Sequence, residues 1–63
     1  MSSIKIERIK QTFKKQVEAG NTILYYNDYG IRIEFKADCF MAFGLSNKEE
    51  QELYKFCKEI LAQ

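Results

Sequence analysis

Two cysteines, Cys39 and Cys57, are the residues best able to do covalent or metal chemistry, and they stand 18 positions apart. A structural zinc site takes about four Cys or His ligands in close pairs. This chain has two cysteines and no histidine, so neither a metal nor any other cofactor is expected. Both cysteines lie in apolar surroundings, Asp38-Cys39-Phe40-Met41 and Phe56-Cys57-Lys58. Free cysteine packs as a small hydrophobe, which predicts two buried structural thiols. With histidine absent, the commonest general base is missing, and nothing evident deprotonates Cys39. Glu34 and Asp38 could form a carboxylate pair, but their alternation with Arg32 and Lys36 reads as cross-strand charge pairing on a surface. The sequence contains no phosphate-cradling glycine loop and no nucleophile motif. It predicts a protein that is not an enzyme.

Binding is the remaining chemistry, and two sets of residues offer it. Lys5, Arg8, Lys10, Lys14 and Lys15 give residues 1–20 a net charge of +3, enough to hold phosphates. Tyr25, Tyr26 and Phe40 could stack on unpaired bases beside them. The second set is apolar and aromatic: Leu24, Tyr26, Tyr29 and Phe40. On the outer side of a sheet these would form an exposed patch of the kind that marks a protein contact, and tyrosine is enriched at interface hot spots.

These side chains are positioned by five elements. Ile6, Ile9, Phe13 and Val17 recur at steps of three, four and four, which puts them on one face of a helix over residues 4–19. Gly20-Asn21 is its stop signal. Ile4 points off the stripe, and Lys14 and Lys15 stand at pairing distance from Glu18. Residues 22–36 read as a hairpin, with Ile31, Ile33 and Phe35 alternating against Arg32, Glu34 and Lys36. Asn27-Asp28-Tyr29-Gly30 looks like a type I turn closed by a left-handed glycine in a bulge. That turn pairs Tyr25 with Ile33 and Ile23 with Phe35 on the core face, leaving Leu24 and Tyr26 outside. A slip of one residue would exchange the faces. Residues 39–43 are apolar enough for a third strand, although Ala37-Asp38 is a poor two-residue turn by composition; one long bent strand is the alternative. Residues 47–62 read as a second helix, opened by the capping box Ser46-Asn47-Lys48-Glu49. Leu53, Phe56, Cys57 and Ile60 form its buried stripe, widened by Tyr54 and Leu61.

The resulting order, α-β-β-β-α, predicts a single small α+β domain over residues 1–63, with two amphipathic helices on one face of an antiparallel sheet. This order resembles that of the double-stranded-RNA-binding domain, which reads helix shape across minor grooves and uses a basic start to its second helix to hold phosphates. The corresponding segment here, Ser46 to Glu52, is acidic, so no binding residue of that family has a counterpart. Small toxin nucleases of the same shape depend on histidine, which this chain lacks.

Composition bounds the rest. A chain of 63 residues with 46 % hydrophobic and 30 % charged side chains is globular in character. At this length only about 60 % of the unfolded chain's surface can be buried. A net charge of +1 gives no bulk attraction to polyanions or membranes. The start, Met1 to Lys5, has no apolar signal core, and the longest uncharged run, Cys39 to Asn47, is far below the roughly 18 residues of a membrane span. A soluble, cytoplasmic protein is expected. Lys, Ile, Asn, Phe and Tyr supply 27 residues against 9 from Gly, Ala, Arg and Pro, a balance suited to an AT-rich genome. Size and composition together suggest an accessory or inhibitor protein of a phage or mobile element in a low-GC bacterium. It would bind a protein, either a host partner or a second copy in a homodimer. The alternative is a nucleic-acid-binding protein using the basic first helix. No small-molecule substrate and no membrane partner is evident.

Overall fold

The computed structural model describes residues 4–62; the sequence expectations for residues 1–3 and 63 lie outside them. The elements are α1 (Ile4–Glu18), β1 (Leu24–Asp28), β2 (Ile31–Lys36), β3 (Cys39–Phe43) and α2 (Asn47–Leu61). The strands form one antiparallel sheet in the order β1-β2-β3, so the meander is the arrangement adopted. No helix of the described residues is long and apolar enough to cross a membrane.

Both helices end and begin where their local chemistry dictates. α1 closes in a Schellman motif: the Gly20 N–H donates to Val17 O at 2.9 Å and the Asn21 N–H to Gln16 O at 3.0 Å. Gly20 takes φ 92° there, which a side chain would disfavour. At the start of α2 the Glu49 N–H donates to Ser46 Oγ at 3.3 Å, and Glu49 Oε1 accepts from the Ser46 N–H at 3.0 Å. That reciprocal pair is the predicted capping box.

The core lies between the helices and one face of the sheet. Ile6, Ile9 and Phe13 of α1 and Leu53, Cys57 and Ile60 of α2 are buried there. They meet Leu24 and Tyr26 of β1 and Ile31, Ile33 and Phe35 of β2. Val17, Tyr54, Phe56 and Leu61 are partly buried against this cluster. Two ion pairs cross between the helices, Lys5–Glu49 at 3.4 Å and Lys10–Glu52 at 2.7 Å. Among the described residues, Lys14 and Lys15 form no ion pair with Glu18.

The hairpin register differs from the sequence expectation by one residue. Leu24 pairs with Phe35, Tyr26 with Ile33 and Asp28 with Ile31. The turn is therefore two residues, Tyr29-Gly30, both at positive φ (51° and 77°). This is the type I′ geometry, whose twist matches that of the flanking strands; the expected type I turn with a bulge does not form. The slip exchanges every side chain of β1 between faces: Leu24 and Tyr26 go into the core, and Ile23 and Tyr25 come out. Ala37-Asp38, a poor turn by composition, repeats the same geometry with φ 50° and 64° between Lys36 and its partner Cys39. Beyond β3, Gly44 packs so tightly that a Cβ there would lie 2.7 Å from Gly30 O, which fixes the end of β3 against the start of β2.

Candidate binding surface

With both helices on one side, the other face of the sheet is open. Cross-strand pairing arranges it in rows. Tyr25, Glu34 and Met41 form one row, and Asn27, Arg32 and Phe43 the next. Lys36 and Cys39 lie at the far end, where Ile23 lines the same shallow groove as Lys36. The central strand thus carries charges, Arg32, Glu34 and Lys36, between two apolar ridges. Tyr25, with Ile23 exposed in the bend just before β1, flanks the charges on one side; Met41 and Phe43, exposed at 48 % and 59 %, flank them on the other. Arg32, Glu34, Met41 and Phe43 enclose a shallow depression between β2 and β3.

The residues singled out from the sequence do not share this surface. Leu24 is fully buried and Tyr26 is 9 % exposed, because the two-residue turn points them inward. Phe40 also faces the helices and is half-buried. Its ring lies 6.3 Å from Phe35 and 5.7 Å from Tyr54, edge-on to the latter. Tyr29 alone of the four is freely exposed, at the hairpin tip. Tyr26 and Tyr29 do meet two members of the basic set: with Lys5 and Arg8 they line a groove of about 460 Å³ beside the start of α1.

The basic set is partly neutralised. Lys5 and Lys10 are held by Glu49 and Glu52 of α2, and Lys10 also sits 5.4 Å over the Phe56 ring. Arg8, Lys14 and Lys15 remain exposed on α1. Of the base-stacking aromatics, Tyr25 is on the open face, while Tyr26 and Phe40 are not.

The cysteines also divide. Cys57 is fully buried, and burial pushes its thiol up to about 12 from 9.0, so it stays protonated and inert at neutral pH. Cys39 is exposed on β3, correcting the expectation of two buried thiols. The strand is short and lies at the sheet's edge, so alternation there does not bring burial. Glu49 is the other shifted group. Its carboxylate is held below 4.5, first by the Ser46 backbone N–H and further by Lys5. Among the described residues no three Cys, Asp or Glu side chains come together as a metal site would require. Glu34 lies mid-strand on the open face and Asp38 in the β2–β3 turn, with the Lys36–Cys39 row between them.

Ile23, Met41 and Phe43 are the surface residues that the sequence expectation omitted. The one-residue ambiguity of the hairpin register carried the signal for Ile23; Met41 and Phe43 lie on β3, whose facing is set by the Ala37-Asp38 turn. Fold and surface together define a small α+β domain with one helix-covered sheet face and one open, partly apolar face. No protein-family model, no curated protein and no solved structure matches the chain.

Proposed function

We propose that this is a small non-enzymatic binding protein, and that it docks another protein against the open face of its sheet. The observation that carries this reading is the pair of exposed apolar ridges, Ile23 with Tyr25 and Met41 with Phe43, flanking the charged row of β2. Apolar ridges provide burial on contact, and Arg32, Glu34 and Lys36 between them fix register and partner choice. An accessory or inhibitor protein working in the cytoplasm of a low-GC bacterium, as part of a phage or mobile element, is the setting that size and composition suggest.

The test uses two surface variants beside the wild type. Tyr25→Ala with Phe43→Asp removes one anchor from each ridge, and Lys14→Glu with Lys15→Glu reverses the free basic end of α1. Each is immobilised and exposed to nuclease-treated bacterial lysate and, separately, to duplex and single-stranded nucleic acid across a salt series. The proposal expects one dominant protein, retained by the lysine variant and lost at least about tenfold by the ridge variant, which corresponds to roughly 1.4 kcal/mol. Binding to nucleic acid that weakens steeply with salt and vanishes in the lysine variant alone would replace this reading with the basic-helix one.

A further inference from the structure

The two edges of the sheet are treated differently. In a two-residue hairpin the pair closing the turn is hydrogen-bonded, and bonded and non-bonded pairs then alternate. On β1 this alternation leaves the N–H and C=O of Tyr25 and Asn27 pointing away from β2. Gln16 of α1 occupies the first of these positions. Its Nε2 donates to Tyr25 O at 2.7 Å and its Oε1 accepts from the Tyr25 N–H at 3.0 Å. One side-chain amide thereby stands in for the peptide of a neighbouring strand.

On β3 the same alternation turns out the N–H and C=O of Phe40 and Ala42. No described residue bonds to them. Cys39-Phe40-Met41-Ala42-Phe43 carries no charge and no proline, and its pairing with β2 runs without a bulge. Charge, proline and bulges are three devices by which edge strands avoid each other, and β3 has none of the three.

We propose that β3 pairs antiparallel with β3 of a second copy, with Met41 on the two-fold axis, to give a six-stranded sheet. The edge is self-complementary in three respects. The outward amides of Phe40 and Ala42 lie symmetrically about Met41, so a strand turned by 180° meets donors with acceptors and makes four hydrogen bonds. Side chains match in size: Phe40 comes beside Ala42, Phe43 beside Cys39, and Met41 beside its own copy. Along the strand, charges do not oppose: Asp38, in the turn before β3, comes opposite Gly44 of the second copy, so the register sets no like charges against each other on the paired strands. A five-residue edge covers far less than the ~800 Å² per partner of a standard stable interface. The dimer is therefore a weak, concentration-dependent one. This inference is independent of the proposed function, because it uses the backbone of an edge where that reading uses the side chains of a face.

The register makes the test sharp. It sets residue 41 opposite itself and residue 39 opposite residue 43, as non-hydrogen-bonded pairs with Cα atoms about 4.5 Å apart, a separation that a disulfide spans. Two copies of Cys39 would lie four residues out of step, about 13 Å apart at strand rise. Under mild oxidation at high protein concentration, Cys39→Ser with Met41→Cys should cross-link into dimers. Phe43→Cys with native Cys39 should do the same. Wild type, and Cys39→Ser with Phe43→Cys, should cross-link on the order of tenfold more slowly, since pairing raises the effective concentration only of the facing thiols. Circular dichroism checks that each variant is folded. Sedimentation equilibrium of the unmodified wild type supplies a reading free of mutation: its apparent mass should rise from 7.5 kDa towards twice that value with concentration. A mass fixed at the monomer, or equal cross-linking in all four proteins, would overturn the proposal.

Discussion

β1 and β3 are both five-residue edge strands of one sheet, both rich in apolar residues, and they end in opposite circumstances. β1 is anchored. It sends Leu24 and Tyr26 into the core, and Gln16 reaches across from α1 to hold its free edge. β3 is laid on. Its inward residues Phe40 and Ala42 are only half-buried, its outward ones are exposed, and its edge is open. The difference teaches that burial within a small sheet follows the helices above it, not the hydropathy of each strand. A strand with few buried apolar contacts contributes less to global stability and is freer to serve a surface role.

The comparison breaks if truncation on the two strands costs the same. Leu24→Ala removes a fully buried side chain and should cost about 2–5 kcal/mol, enough to unfold a domain of this size. Met41→Ala, on the exposed side of β3, should stay within about 0.5 kcal/mol of wild type. Urea denaturation followed by circular dichroism gives both values. Leu24→Asp, which an outward Leu24 would tolerate, should fail to fold, because it buries a charge without a partner.

Why the helices could be read from the sequence and β1 could not is visible in particular residues. Ser46 with Glu49 and Gly20 with Asn21 announce helix ends by their own hydrogen-bonding chemistry, independent of what packs around them. The run Ile23-Leu24-Tyr25-Tyr26 is apolar at both parities, so no pattern within it says which side chains face inward. The turn decides, and the turn residues misdirect: a single glycine, Gly30, suits a type I turn with a bulge. The chain instead places Tyr29 at φ 51°, which lets Leu24 and Tyr26 pack against Phe35 and Ile33. Tertiary packing overrides the local preference. Gln16 left no sequence signal at all, because a glutamine near a helix end looks like any other solvated residue.

Gln16→Ala sharpens the comparison by making the β1 edge resemble that of β3. It removes two hydrogen bonds, a loss of about 1–3 kcal/mol at roughly 0.5–1.5 each. Amide exchange at Tyr25 should speed up in this variant while exchange in β3 stays as it was. Equal acceleration in both strands would mean that the two edges are not held separately.

A gain in stability is expected next, from the turn that leads into β3. Ala37 is held at φ 50°, a left-handed conformation that costs an L-residue roughly 1–2 kcal/mol and glycine much less. Ala37→Gly relieves that strain but adds freedom to the unfolded chain, for a net gain of about 0.5 kcal/mol. The thermal midpoint of the variant should rise by a few degrees. If it falls, the Ala37-Asp38 turn is not the strained geometry described, and β3 is less loosely attached than the comparison holds.

The smallest effect belongs to the cap of α2, remote from both edges. Glu49 is exposed enough that solvent screens its ion pair with Lys5, yet its carboxylate is held below 4.5 by the Ser46 N–H and then by Lys5. In the unfolded chain the same group titrates near its ordinary value. Between the folded value and 4.5 the unfolded state therefore binds more protons. The contribution of Glu49 is complete above that window and is lost as pH falls through it. Glu49→Gln can still accept from the Ser46 N–H but no longer titrates or attracts Lys5. It should leave the neutral-pH fold in place and flatten the acid limb of a stability–pH curve measured from pH 3 to 7. Met41→Ala should keep the wild-type slope, since β3 carries no titrating carboxylate. A wild-type slope in Glu49→Gln would move the acid sensitivity away from the cap.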